Sequence, residues 1–225
     1  VTIKKKYHDP LPETITILTD LLKDKTKILE VGPGEKNKFA LATHSCGAET
    51  CDFSADLLPY KDKEFDFIYC RHVVEDLYNP FLLMQEMTRV GKAGYVEAPS
   101  PLVEMTRGID GNEEVTSSPW RGHHHHRYFV WNDGEVLNFL TKYVVVEYAR
   151  TEDGKMKKFL EDYPGAWNTY YLWNDKIKYK HFQHHLDASI TQGKYGDLIK
   201  KGIEQGINNS YQFFKDREEL LTNGT

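Results

Sequence analysis

Ile28-Leu29-Glu30-Val31-Gly32-Pro33-Gly34 reads as a short apolar strand that carries an acid and runs into a glycine turn. Glycine tolerates backbone conformations closed to other residues, and a glycine turn at a strand's carboxyl end lets main chain approach a nucleotide-bearing ligand closely. Outward from it, Ile15, Leu18, Leu21 and Leu22 form a helical stripe over residues 11–24, with Pro12 suited to a first turn. Residues 35–43 have no strong amphipathic pattern, so the helix expected after the glycine turn is stunted.

Downstream, residues 65–70 (Phe-Asp-Phe-Ile-Tyr-Cys) read as a second strand. Asn79 then offers a helix cap and Pro80 a first-turn proline for a helix to Val90, whose buried stripe is Leu83, Met84, Met87 and Val90. Gly91 stops it, and residues 93–98 form another strand, so strand and helix alternate as in an α/β sheet. Residues 102–127 read as one long loop. Strands are expected over 127–131 and 143–148 with a short helix over 133–140 between them, which ends the sheet near residue 150. Residues 151–225 read as a helical extension. Its last helix sets Ile199, Ile203, Ile207, Tyr211 and Phe214 on one face, apolar enough to pack on the sheet or to support a homo-oligomer.

Composition narrows the setting. A chain of 225 residues with 40% hydrophobic and 28% charged residues suits one globular unit with an appended element. The net charge of −5 gives no basic footprint for nucleic acid, and Lys4, Lys5 and Lys6 look like a solvated terminus. No apolar run approaches the length of a membrane span. Cys46, Cys51 and Cys70 have neither disulfide nor zinc-ribbon spacing. With no apolar secretory core near the start, a cytoplasmic setting is expected.

Three stations in order resemble the small class I S-adenosylmethionine-dependent methyltransferases. They are Glu30-Val31-Gly32-Pro33-Gly34, then the run from Asp56 through Leu58-Pro59-Tyr60 to Asp66, then His72-Val73-Val74-Glu75-Asp76-Leu77. The resemblance spans residues 26–101 and implies a Rossmann-like α/β sheet with helices on both faces. It implies S-adenosyl-L-methionine as cofactor, with S-adenosyl-L-homocysteine as product. Glu30, Gly32, Pro33 and Gly34 would hold its methionine end, Asp52 and Phe53 its nucleoside, and Cys70, Arg71 and His72 would line it at the second strand's end. The family places one acid on the ribose and another near the adenine. With about 25 residues between Gly34 and Pro59 there is no room for both units at full length, so Asp52 has either role and Glu49 is a weaker ribose candidate.

The acceptor is expected to be a small molecule or glycan. His123-His124-His125-His126 ends the long loop, and a histidine that titrates near neutrality can take the proton of a hydroxyl as it is methylated. His124, His125 and His72 are the candidates, in that order. No metal is expected, because four adjacent histidines lack the spacing of a helical zinc pair and no carboxylate cluster lies beside them in sequence. Trp120, Arg121, Trp131, Trp167, Tyr170, Tyr171 and Trp173 suit core packing, with stacking on an acceptor as the alternative. Tyr211 and Lys215 match a dehydrogenase spacing by coincidence. A nicotinamide-dependent oxidoreductase shares the turn but is disfavoured, since Asn37 stands where its third glycine belongs. A methyltransferase-like scaffold without cofactor is the remaining alternative.

Overall fold

The computed structural model describes residues 9–34, 38–110, 119–183 and 193–222. Lys4 to Lys6 and Asn37 lie outside them. Four parallel strands form the centre: β1 (Ile28–Val31), β2 (His44–Cys46), β3 (Phe67–Arg71) and β4 (Ala93–Pro99). A later strand, β7 (Asn168–Asn174), pairs antiparallel with β4, giving the order β2-β1-β3-β4-β7. β1, β3 and β4 are buried on both faces, which is why they read as near-continuous apolar runs, whereas His44 and Ser45 of β2 are exposed.

Side chains alternate between two cores. Leu29, Val31, Ile68, Cys70, Val96 and Ala98 face one, covered by α2 (Pro80–Val90) through Leu83, Met84, Met87 and Val90. Ile28, Phe67, Tyr69, Tyr95 and Tyr170 face the other, covered by Ile17, Leu18 and Leu22 of α1 (Pro12–Leu22) and by Phe213. Helices thus lie on both faces, as the sequence predicts. Pro80 takes the first turn of α2, but Asn79 makes no side-chain capping bond.

Several elements differ from expectation. Residues 101–105 are not loop: α3 (Pro101–Met105) is fully buried, and Ser100 caps it by accepting from the Val103 N–H. Residues 133–140 are not a helix. Asp133 Oδ1 accepts from the Glu135 and Val136 N–H groups, and Gly134 has φ +106°, so these residues turn a hairpin between β5 (Tyr128–Asn132) and β6 (Leu137–Thr141). Leu137, Phe139 and Leu140 are all buried, and burial on both faces erases the alternation that marks a strand. Val144–Tyr148 is a 3₁₀ helix whose Val144 and Tyr148 are exposed, although its β-branched run suggests a strand.

The sheet also does not end near residue 150. After α4 (Asp153–Asp162), β7 closes the edge of β4, and β8 (Tyr179–Phe182) joins β6 in a second sheet of order β5-β6-β8. The stretch from 151 is therefore not purely helical. Its long helix, α5 (Lys194–Lys215), is followed by α6 (Glu218–Thr222). The buried side of α5 is rotated from the predicted stripe: Ile199, Gly202, Gly206, Ser210 and Phe213 are buried, whereas Tyr211 is exposed. A Cβ at Gly202 would stand 3.2 Å from the Trp131 ring, so small residues let this helix lie close on β5.

Candidate functional site

The parallel strands bring the carboxyl ends of β1, β2, β3 and β4 to one edge. At β1, Gly32 has φ +72° and donates its N–H to the Cys46 carbonyl at 2.9 Å, tying the turn to the end of β2. A Cβ here would meet Val73 Cγ2 at 2.3 Å, so the position requires glycine for conformation and for space. Beside it Pro33 is half-buried, and Gly34 is exposed with no atom within 4 Å of where its Cβ would stand. The turn thus leaves open space at Gly34 among the described residues.

Glu30 points to the face of α1, and its two carboxylate oxygens accept from the Phe39 N–H at 3.0 and 3.1 Å. Burial raises its pKa, against the lowering effect of that N–H and of Lys38. Phe39 stacks on Tyr69 at 4.0 Å. Glu30 thereby ties the segment after the turn back to the sheet.

Between β1 and β3 the described residues contain only the three-residue β2. Asp52 lies six residues beyond it and is exposed, its Oδ1 accepting from the Ser54 N–H at 2.9 Å. Phe53 is buried in the core with Leu58. Glu49 is exposed.

At the end of β3, the side chain of Cys70 is fully buried, and burial raises its thiol's pKa, so only its backbone can face a ligand. Arg71 Nε donates to Glu97 Oε1 at 3.0 Å. His72 adopts φ +54°, and its N–H donates to the Glu97 carbonyl at 2.8 Å. Glu97 itself is buried, and its carboxylate also accepts from Tyr95 Oη at 2.6 Å and Asn168 Nδ2 at 2.7 Å. Burial would lower the Arg71 pKa, but Glu97 and its neighbours more than offset this and raise it. This network holds the β3 edge rigid, and sequence reasoning missed it. The signal was a lone acid inside the apolar run 94–98, which when buried demands a partner.

The histidine run docks on the segment after β3. Arg127 N–H donates to the Glu75 carbonyl at 2.7 Å, and Arg127 Nε to the Asp76 carbonyl at 3.0 Å. His123 and His126 are buried, whereas His124 and His125 are exposed. Glu104, buried on α3, faces His126 Nδ1 at 2.8 Å and His123 Nδ1 at 3.4 Å and also accepts from Lys142 Nζ. Burial opposes protonation of His126, but Glu104, Glu75 and Asp76 outweigh it and push the pKa up to about 9. His126 therefore holds its proton at neutral pH and is no base. Burial and the His126 charge lower His125. The buried Glu75 carboxyl is pushed up to about 8, chiefly by burial.

His124 Nδ1 lies 3.2 Å from Asp110 Oδ2. His124, His125 and His126 border a cavity of about 500 Å³ whose walls include Trp120, Tyr78 and Tyr143. His72 is not among its lining residues. The fold thus supplies the carboxylates that sequence proximity did not: Asp76, Glu104 and Asp110 each form a group with two of the histidines. Of the aromatic candidates, Trp131, Trp167, Tyr170, Tyr171 and Trp173 are core. Arg121 is a buried clamp that donates to the Met105 and Ala149 carbonyls at 2.6 Å and to Asp153 at 2.8 Å.

No curated protein is similar enough in sequence to count as a relative. Among solved structures, a candidate methyltransferase from Bacillus halodurans C-125 aligns with 16% identity over 38% of this chain, at a TM-score of 0.26. The chain spans about half, 46%, of the length of that structure. A chain from the complex of the Haloferax volcanii Trm112 methyltransferase activator with a candidate methyltransferase aligns with 12% identity and a TM-score of 0.36. That alignment covers 76% of this chain and 91% of the other. Both scores are too low to establish a shared fold. A family of methyltransferase domains matches in sequence over residues 28–96, which run from the start of β1 into β4 and include the glycine turn. Over residues 28–96 the chain is thus similar to a family of methyltransferase domains.

Proposed function

We propose that the chain transfers a methyl group from S-adenosylmethionine to an oxygen of a small-molecule or glycan acceptor. The observation that carries this reading is the coincidence of the family match with a glycine turn that is sterically bound to be glycine and open at Gly34. When bound, the cofactor supplies an electrophilic sulfonium methyl. The turn at Gly32 to Gly34 would receive its methionine end, and the β3 edge from Cys70 to His72, braced by Glu97, would line its other side.

Catalysis is mainly positional, since an acceptor held in line needs little further help. For a hydroxyl acceptor, His124 is the group that removes the proton. Its Nδ1–H donates to Asp110, which leaves the Nε2 lone pair for the acceptor at the cavity wall. Binding of S-adenosylhomocysteine, followed by transfer of labelled methyl to a panel of hydroxylated small molecules and glycans, tests the reading. Saturable binding and transfer support it, and failure to bind refutes it.

One observation favours a second reading, a methyltransferase-like scaffold without cofactor. The link from β1 to β2 is short, and Oδ1 of Asp52, the candidate acid for the nucleoside, is already engaged by the Ser54 N–H. The same binding measurement decides between the two.

A further inference from the structure

His125 Nε2 and His126 Nε2 converge on a single oxygen, Asp76 Oδ1, from 3.7 and 3.6 Å. All three atoms lie within 4.8 Å of one another. These separations are too long for hydrogen bonds. They are close to what a metal imposes, since ligand atoms about 2.1 Å from a tetrahedral zinc stand about 3.4 Å apart, whereas neighbouring positions of an octahedron stand about 3.0 Å apart. For the two pairs that share Asp76 Oδ1, a few tenths of an ångström close the gap, and the side chains of Asp76 and His125 are half-exposed.

Two independent features point the same way. Asp76 Oδ1 is buried without a hydrogen-bond partner. Buried carboxylates without partners are costly, and a nearby dication offsets them. Second, the far nitrogen of His126 is already held by Glu104 at 2.8 Å, and Lys142 holds Glu104 in turn. A carboxylate on the other ring nitrogen is how metal-bound histidines are oriented.

We propose that Asp76, His125 and His126 form a site for a divalent transition metal of the zinc class, the metal displacing the Nε2 proton of His126 to solvent while Nδ1–H stays on Glu104, with a fourth position open to the cavity. Two imidazoles and one carboxylate with an open position suit zinc or its cobalt surrogate and leave magnesium and calcium, which take oxygen ligands, disfavoured.

The test uses the full chain without an added histidine tag, stripped with chelator and titrated with Co²⁺ alone. One equivalent is expected to bind with the intense visible absorption of tetrahedral cobalt and to be displaced by Zn²⁺. His124→Ala should retain the site. Asp76→Asn and His125→Ala should each weaken binding by about 100-fold, and Glu104→Gln by about 10-fold to 100-fold. Circular dichroism of the stripped variants separates ligand loss from misfolding. Absence of tetrahedral binding by the wild-type chain overturns the proposal without reference to any variant. So does binding lost in His124→Ala and kept in Asp76→Asn, which would make the run a surface chelate.

Discussion

Gly32 is the residue at which sequence, conformation and site meet. With φ +72° and Val73 Cγ2 only 2.3 Å from any added Cβ, Gly32→Ala strains the backbone and displaces a packed valine. We expect it to cost about 1–3 kcal/mol and to abolish cofactor binding, read by chemical denaturation and calorimetry. His124→Ala should lower kcat by about 10²-fold to 10⁴-fold and leave cofactor affinity unchanged, as steady-state kinetics and calorimetry would show. Asp66 gives the pH dependence. Lys92 donates to it, as do the Lys27 and Thr26 N–H groups, and these hold its carboxyl well below its ordinary value. Its contribution is present above the unfolded pKa of about 3.9 and is lost as pH falls below that toward the folded value. Asp66→Asn should therefore lower the urea midpoint at pH 7, and the gap to wild type should shrink below about pH 4. Glycines and lone acids of this kind are legible in sequence as positions. Their partners are not, because Glu97 meets Arg71 and Asn168 only through strand register, and Glu104 meets His126 only once α3 packs.

At the scale of elements, periodicity was legible wherever one face of a helix or both faces of a parallel strand are buried. This holds for α2, β1, β3 and β4, whereas in α1 Leu21 of the expected stripe is exposed and Ile17 is buried in the core. It failed at β6, where burial on both sides imitates a helix, and at residues 144–148, where a β-branched run winds as 3₁₀. For α5 the apolar stripe misled, because the closest approach is made by Gly202 and Gly206 against Trp131 and Pro101, and not by the largest side chains. Gly202→Leu should therefore overpack this contact, costing about 1–3 kcal/mol, or roughly 2–12 °C in Tm, readable in a thermal melt.

For the whole molecule, the decisive feature is β7. It returns from residue 168 to cover the edge of β4, pairing Glu97 with Tyr170, and Asn168 completes the shell around Glu97. No local pattern announces such a long-range closure. A fragment ending at residue 150 would expose the β4 edge and leave the Glu97 carboxylate short of a donor, and we expect it to lack a cooperative unfolding transition. Among the described residues no helix is long and apolar enough to cross a membrane. The methyltransferase reading itself depends on whether a glycine turn joined to so short a β2 unit still holds an adenosyl ligand. Titration of the whole chain with S-adenosylhomocysteine measures this directly. At 100 times Kd the ligand should stabilise the fold by about 2.7 kcal/mol, raising Tm by roughly 5–11 °C with one site per chain. The absence of both binding heat and a shift in Tm at millimolar ligand, or binding of NAD in its place, would contradict the account.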